Sequence, residues 1–239
     1  MKIHKKLLAV ILFFCYFIFS LSPTFAQKSN GLQTGGLQSG GLQTGGLQAG
    51  DLLFQDLNCG DLCDAIETVT EGVDGKDFSH CGMVVKINDT LKVVEAIGAM
   101  VQVNSLETFF ARSGDTSTIN NITIARVKSD HKALIDKAAN YALQQLGQPY
   151  DRVFLLDNGK WYCSELLYGS FKAANNGQDF FELAPMTYKD PATQAFFPAW
   201  VTYYEQLNAE IPEGKSGLNP GSISRSDKIE IIEIDNLKL

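Results

Sequence analysis

The spacing of apolar residues changes several times along residues 51–234, and each change marks a different element. Leu52, Leu53 and Phe54 form a short continuous apolar run with strand character. Over residues 60–69 the apolar positions fall at Leu62, Ile66 and Val69, a helical stripe. Residues 79–87 and 91–97 are β-rich and flank Asn88-Asp89, a pair suited to a tight hairpin turn. Ser105 is placed to cap a short helix running to Arg112, and residues 121–127 return to strand. Asp130 opens a helix with Leu134, Ala138, Tyr141 and Ala142 turned inward and Gly147 at its end. A loop then leads into a helix over 161–175, and a last strand is expected over 228–234. Helices and a mainly antiparallel sheet in this mixed order predict an α+β fold.

The N-terminal 50 residues follow no such pattern. Lys2, Lys5 and Lys6 precede an uncharged run from Leu7 to Leu21, and Thr24-Phe25-Ala26 supplies small residues at cleavage spacing. Residues 1–26 therefore read as a secretory signal peptide cleaved near Ala26, with a periplasmic or extracellular bacterial product. The run is shorter than the roughly 20 residues of a spanning helix, so no stable membrane anchor is expected after cleavage. Residues 31–50 hold four near-copies of one pentapeptide, GLQTG, GLQSG, GLQTG and GLQAG. Glycine-rich and uncharged, residues 27–50 read as a flexible linker, either a spacer or a neutral duplication. The folded domain is expected over 51–239.

Charge and cysteine content narrow the function. Losing residues 1–26 removes three lysines and no acid, which moves the net charge from −7 to −10. No basic patch is visible, which argues against nucleic acid and against docking on anionic lipid. Four cysteines remain: Cys59, Cys63, Cys81 and Cys163. An exported chain permits disulfides. Cys59 and Cys63 stand one helical turn apart, which fits a bridge and equally fits two small buried side chains. Cys59, Cys63, His80 and Cys81 fit no familiar zinc-ligand spacing, so no metal or other cofactor is expected.

Three histidines are present, and His4 lies in the leader. His131 follows Asp130 in a first helical turn, where a solvent-facing role is the simpler one. His80, at the start of a β-rich run, remains as the candidate base. Its candidate partner is Cys163 in Trp-Tyr-Cys-Ser-Glu-Leu-Leu-Tyr, which falls in the first turn of the predicted helix. Unpaired amide protons and the positive dipole end favour a thiolate there. A cysteine at such a place is also compatible with plain core packing. Glu95 is the candidate third member. If Asn88-Asp89 is a two-residue turn, Ile87 pairs with Thr90 and Glu95 falls opposite Gly82. That puts His80 and Glu95 on one face as diagonal neighbours. The same alternation turns Cys81 to the other face, away from the expected chemistry.

Together these residues resemble the papain-like NlpC-type cell-wall peptidases, and more closely their circularly permuted relatives, the YaeF/YiiX-like amidases. The unpermuted pattern is Gly-x-Pro-Tyr, then a cysteine helix start, then the histidine strand. Here Gly147-Gln148-Pro149-Tyr150 and Cys163-Ser164-Glu165-Leu166 both follow the histidine strand. The similarity runs from about Gly50 through Asn219-Pro220-Gly221 to the last strand. It implies a permuted papain-like fold with Cys163 as nucleophile, His80 as base and Glu95 as the polar third residue. It also implies that Tyr150 binds substrate or stabilises the oxyanion, alongside the Cys163 amide. Glu165 is then substrate-facing or structural. Cys81 departs from the aliphatic residue or methionine common at that position.

The leading expectation is amide hydrolysis of a small peptide or amino-acyl substrate, such as a cell-wall fragment. A lipid acyl hydrolase or acyltransferase would use the same triad but needs an apolar acyl channel, for which the sequence offers no sign. A non-catalytic binding module on the same scaffold is the third reading, against which the intact Cys163, His80 and Glu95 argue.

Overall fold

The computed structural model describes residues 46–57, 59–113 and 122–234. The leader, the first three repeats of the linker and the last five residues lie outside them. Six antiparallel strands form the main sheet: β1 (Leu52–Gln55), β2 (His80–Ile87), β3 (Thr90–Ile97), β4 (Met100–Ser105), β5 (Ile122–Val127) and β8 (Ile229–Ile232). Their spatial order is β4-β3-β2-β1-β5-β8. A two-stranded ribbon, β6 (Ala184–Pro185) with β7 (Ser216–Gly217), lies apart from it. The helices are α1 (Asp61–Val69), α2 (Leu106–Ala111), α3 (Ile135–Gln144), α4 (Cys163–Ala174), α5 (Pro198–Leu207) and α6 (Pro220–Ser224).

Strand alternation divides the apolar residues between two faces. Phe54, Cys81, Met83, Val85, Val94 and Ala96 pack with α3 and α4 on one face. Leu53, Val84, Val93 and Ile124 pack with Leu106, Phe109 and Phe110 of α2 on the other. A third cluster joins Ala65 of α1 to Tyr188, Trp200 and Tyr204 around α5.

The β2–β3 hairpin has the register expected from its turn. Ile87 pairs with Thr90 and Met83 with Val94. Asn88 and Asp89 both take positive φ, 48° and 61°, as a type I′ turn requires. Gly82 is needed beside this pairing: a Cβ there would lie 2.7 Å from Val93 and 3.2 Å from Phe109. Its absence lets α2 settle onto the hairpin.

Three differences from the sequence reading have local causes. The linker was read to Gly50, but its last repeat is packed on the domain. Leu47 is buried with the α2-side cluster, and the Gly46 carbonyl accepts from Arg126 at 2.9 Å. The buried Asp51 carboxylate fixes this entry by accepting from Gln48 N–H and, in two bonds, from Arg126. The segment after Lys128 starts as a 3-10 turn over Ser129–Leu134, with no side-chain cap from Asp130, before α3 begins at Ile135. Strand β4 and helix α5 were not anticipated at all.

Candidate active site

His80 is the first residue of β2, so its ring stands at the end of the strand rather than within the packed face. Cys163 is the first residue of α4, preceded by Tyr162 as an extended N-cap. The two side chains face the same space, and each shifts the ionisation of the other. Both line a cavity of about 350 Å³, and Cys163 keeps a small opening to it at 6% exposure.

Behind the imidazole the charges are completely paired. His80 Nε2 lies 2.6 Å from Glu95 Oε2, which leaves Nδ1 for the thiol. Glu95 is fully buried, and a lone carboxylate there would cost several kcal/mol. It is compensated by Asn104 Nδ2 at 2.8 Å and by Arg112 Nη2 at 2.6 and 2.5 Å from its two oxygens. Burial opposes ionisation of Glu95, but His80 and Arg112 outweigh it and hold the carboxyl below its ordinary range. The Arg112 guanidinium also sits 5.1 Å from the centre of the Phe109 ring. Neither Asn104 nor Arg112 was identified from the sequence as part of the site.

The protonation states follow from these contacts. Burial alone would lower the His80 pKa, but hydrogen bonds to Cys163 and Glu95 prevail and push it up to about 9. Cys163 is held well below the ordinary thiol range. The largest cause is a hydrogen bond from Cys81, which with that from His80 overcomes the effect of burial. A thiolate–imidazolium pair at neutral pH results, the state in which sulfur is nucleophilic.

Cys81 was expected to face away from the chemistry. Its direction follows the alternation, but α4 covers that face and brings Cys163 into the same packed cluster. Ser164 Oγ lies 3.7 Å from the Cys81 sulfur and 3.8 Å from that of Cys163. Cys81 itself has no solvent exposure.

Tyr150 also lines the cavity. Its N–H donates to Ala99 O at 2.8 Å, and Trp161 N–H donates to Pro149 O at 3.0 Å, so the Pro-Tyr segment is clamped between the β3–β4 turn and the approach to α4. Burial and the neighbouring Cys163 charge raise its phenol well above the ordinary value, leaving a neutral O–H donor. Glu165, by contrast, does not reach the cavity. It is buried at the third position of α4, and its Oε1 accepts the backbone N–H of Asp157 at 3.2 Å. It ties the loop before α4 to the start of the helix, and burial raises its pKa to about 8.

The far wall of the cavity is apolar. Leu62 and Ile66 of α1 face it, as do Trp200 and Tyr203 of α5 and Phe154 of the loop before α4. Phe154 takes a positive φ of 56°, an uncommon state for a bulky residue. Asp151 imposes the turn by accepting from Val153 N–H at 3.0 Å and Leu155 N–H at 2.7 Å. The Phe154 ring then lies among Tyr150, Tyr162, Trp200 and Tyr203, with centroids 5.6 to 6.4 Å away. Cys59 and Cys63 are joined in a disulfide at the start of α1 and also border the cavity. The bridge uses two of the sulfurs considered as zinc ligands. His131 is distant in role, half-buried with its ring edge-on to Phe180.

The order of the elements marks the class. The histidine strand precedes the cysteine helix, which makes this a papain-like α+β fold with its parts permuted along the chain. Residues 46–233 match the family described as permuted papain-like amidase enzyme, YaeF/YiiX, C92 family, and the chain belongs to that family of cysteine amidases and peptidases. Among solved structures, the metalloprotein YiiX of Escherichia coli O157:H7 shares the fold with a TM-score of 0.62 and 23% identity, over 79% of this chain and 97% of that one. No curated protein matches. Among the described residues of this chain, no three His, Cys, Asp or Glu side chains converge to hold a metal ion.

Proposed function

We propose that this chain is an exported thiol amidase that cleaves an amide bond through a Cys163 thioester. Its substrate is a peptide or amino-acyl amide, such as a cell-wall fragment, with an apolar group beside the scissile carbonyl. The observation that carries the reading is that Cys163 and His80 line one cavity, with the His80 ring held 2.6 Å from Glu95. The Cys163 thiolate adds to the carbonyl carbon. The resulting oxyanion accepts hydrogen bonds from the Cys163 amide and the Tyr150 hydroxyl. His80 gives its proton to the departing amine, and the acyl group stays on sulfur. Water, deprotonated by His80, then releases the acid and restores the thiolate–imidazolium pair. Glu95 keeps Nε2 protonated and balances the imidazolium throughout.

Export is supported by the leader-like N-terminus and by the Cys59–Cys63 bridge, which persists in an oxidising compartment. The apolar group is supported by the wall of Leu62, Ile66, Phe154 and Trp200. That same wall favours a second reading, hydrolysis or transfer of a lipid acyl chain, since it supplies the apolar channel the sequence did not reveal. A panel of peptide and amino-acyl amides set against acyl lipids separates the two. Turnover of amides that rises with apolar character is expected. Cys163→Ala should reduce it by at least about a thousandfold. Turnover of acyl esters alone would replace the amidase reading with the lipid one, and full activity of Cys163→Ala would remove the thiol mechanism altogether.

A further inference from the structure

The mechanism above uses one reduced cysteine, yet the site contains two. Cys163 opens on the cavity, while Cys81 lies beneath it with no solvent exposure. Both sulfurs are within reach of one hydroxyl, that of Ser164, at 3.8 and 3.7 Å. Both belong to the same packed cluster between β2 and α4. Cys59 and Cys63 are already bonded to each other, so Cys81 and Cys163 are the free thiols among the described residues.

We propose that Cys81 and Cys163 form a redox pair, in which a hydroperoxide oxidises Cys163 and Cys81 traps the product as a Cys81–Cys163 disulfide. The inference takes from the proposed function only the accessibility and reactivity of Cys163. In the first step the Cys163 thiolate attacks the peroxide oxygen. The O–O bond breaks, an alcohol or water leaves with one proton, and Cys163 becomes a sulfenic acid. In the second, the Cys81 sulfur attacks the sulfenic sulfur, its S–H proton passes through the Ser164 hydroxyl to the departing hydroxide, and water is released. The peroxide gains two electrons and the two thiols lose them. A small-molecule dithiol reverses the bridge by exchange.

Burial gives this pairing its selectivity. An inaccessible Cys81 cannot be oxidised from solvent or bridge to another chain, so the sulfur it can meet is the one above it. The bridge removes the nucleophile and also protects it, because a sulfenic acid left alone is open to further, irreversible oxidation. A site that meets peroxide thereby gains a recoverable inactive state.

The test treats the purified full chain with hydrogen peroxide, blocks free thiols, and maps unreduced peptides by mass spectrometry. The expected product joins the Cys81 and Cys163 peptides with the loss of two hydrogen atoms, and dithiothreitol returns both thiols. In Cys81→Ser and Cys81→Ala, Cys163 should instead accumulate sulfinic and sulfonic acid that dithiothreitol does not reverse. The product and not its rate is the readout, because losing the Cys81 donor also changes Cys163 reactivity. Sulfinic acid at Cys163 in the unaltered chain to the same extent as in the variants, or a bridge from Cys163 to Cys59 or Cys63, would overturn the proposal. No substrate is involved, so a bridge without amidase activity would refute the proposed function and leave this inference standing.

Discussion

The two walls of the cavity are built on opposite principles. On the sheet side, every charged group is fixed by polar partners: His80 by Glu95, and Glu95 by Asn104 and Arg112. On the helix side, α1, α5 and the Phe154 loop turn rings and aliphatic chains to the cavity, while their polar anchors, such as Asp151, lie behind them in the backbone. The first arrangement tolerates no loss, because removing one partner leaves a buried charge uncompensated. The second can be trimmed atom by atom, changing what fits without changing what reacts. Reaction and selection thus reside in different walls, and each can be altered separately.

The sharpest way to break that division is at Glu95. Glu95→Gln keeps the shape and a hydrogen-bonding oxygen but removes the charge that supports the imidazolium. An amide kcat/KM lower by about a hundredfold or more is expected. The pH profile should move as well. In the unaltered chain, the alkaline limb is expected where His80 deprotonates, near pH 9. Without the carboxylate the imidazolium is less favoured, so the alkaline limb shifts to lower pH. An unchanged limb would mean that Glu95 holds the fold and not the proton. A smaller effect is expected on the opposite wall: Ile66→Ala should raise KM for apolar amides about tenfold at nearly constant kcat, since a few methylenes in an apolar pocket discriminate on that scale. A fall in kcat with unchanged KM would show that the walls do not divide their work.

The same division explains what could be read from the sequence. The sheet wall was partly legible because hairpin geometry is local. Asn88-Asp89 fixes the turn, the turn fixes the register, and the register brings Glu95 to the His80 face. The position of Cys163 was equally local, a matter of where apolar periodicity resumes after a loop. Arg112 and Asn104 were not legible, because they reach Glu95 only once α2 and β4 are packed on the hairpin. Cys81 illustrates the boundary: alternation gives its direction, but only the docking of α4 shows what lies in that direction. The aromatic wall was missed for the same reason, since Phe154, Trp200 and Tyr203 come from separate segments. Glu165 was not legible either, because its partner, the Asp157 N–H, meets it only once the loop before α4 folds back on the helix.

The smallest expected effect concerns how the two walls are joined. Glu67 of α1 is partly buried, and its pKa is raised to about 7 by that burial, by a hydrogen bond with Asp56 and by the charges of Asp56 and Asp77. Asp56 follows β1 and Asp77 precedes the histidine strand, so this carboxyl group links the apolar wall to the base of the polar one. The folded chain retains a proton on Glu67 that the unfolded chain releases near pH 4.5. Folding stability from this group is therefore fully present below pH 4.5 and is lost as pH rises through about 7. Solvent reaches much of the group, so screening keeps the effect under about 1 kcal/mol. Glu165, raised to about 8, contributes with the same sign over an overlapping window, so the comparison must be between chains and not between pH values alone. Urea midpoints at pH 4.5 and pH 7.5 should fall more in the unaltered chain than in Glu67→Gln, which cannot ionise but still donates to Asp56. Parallel slopes in the two chains would mean that α1 is held by its apolar contacts alone, and that the walls meet without a titrating link.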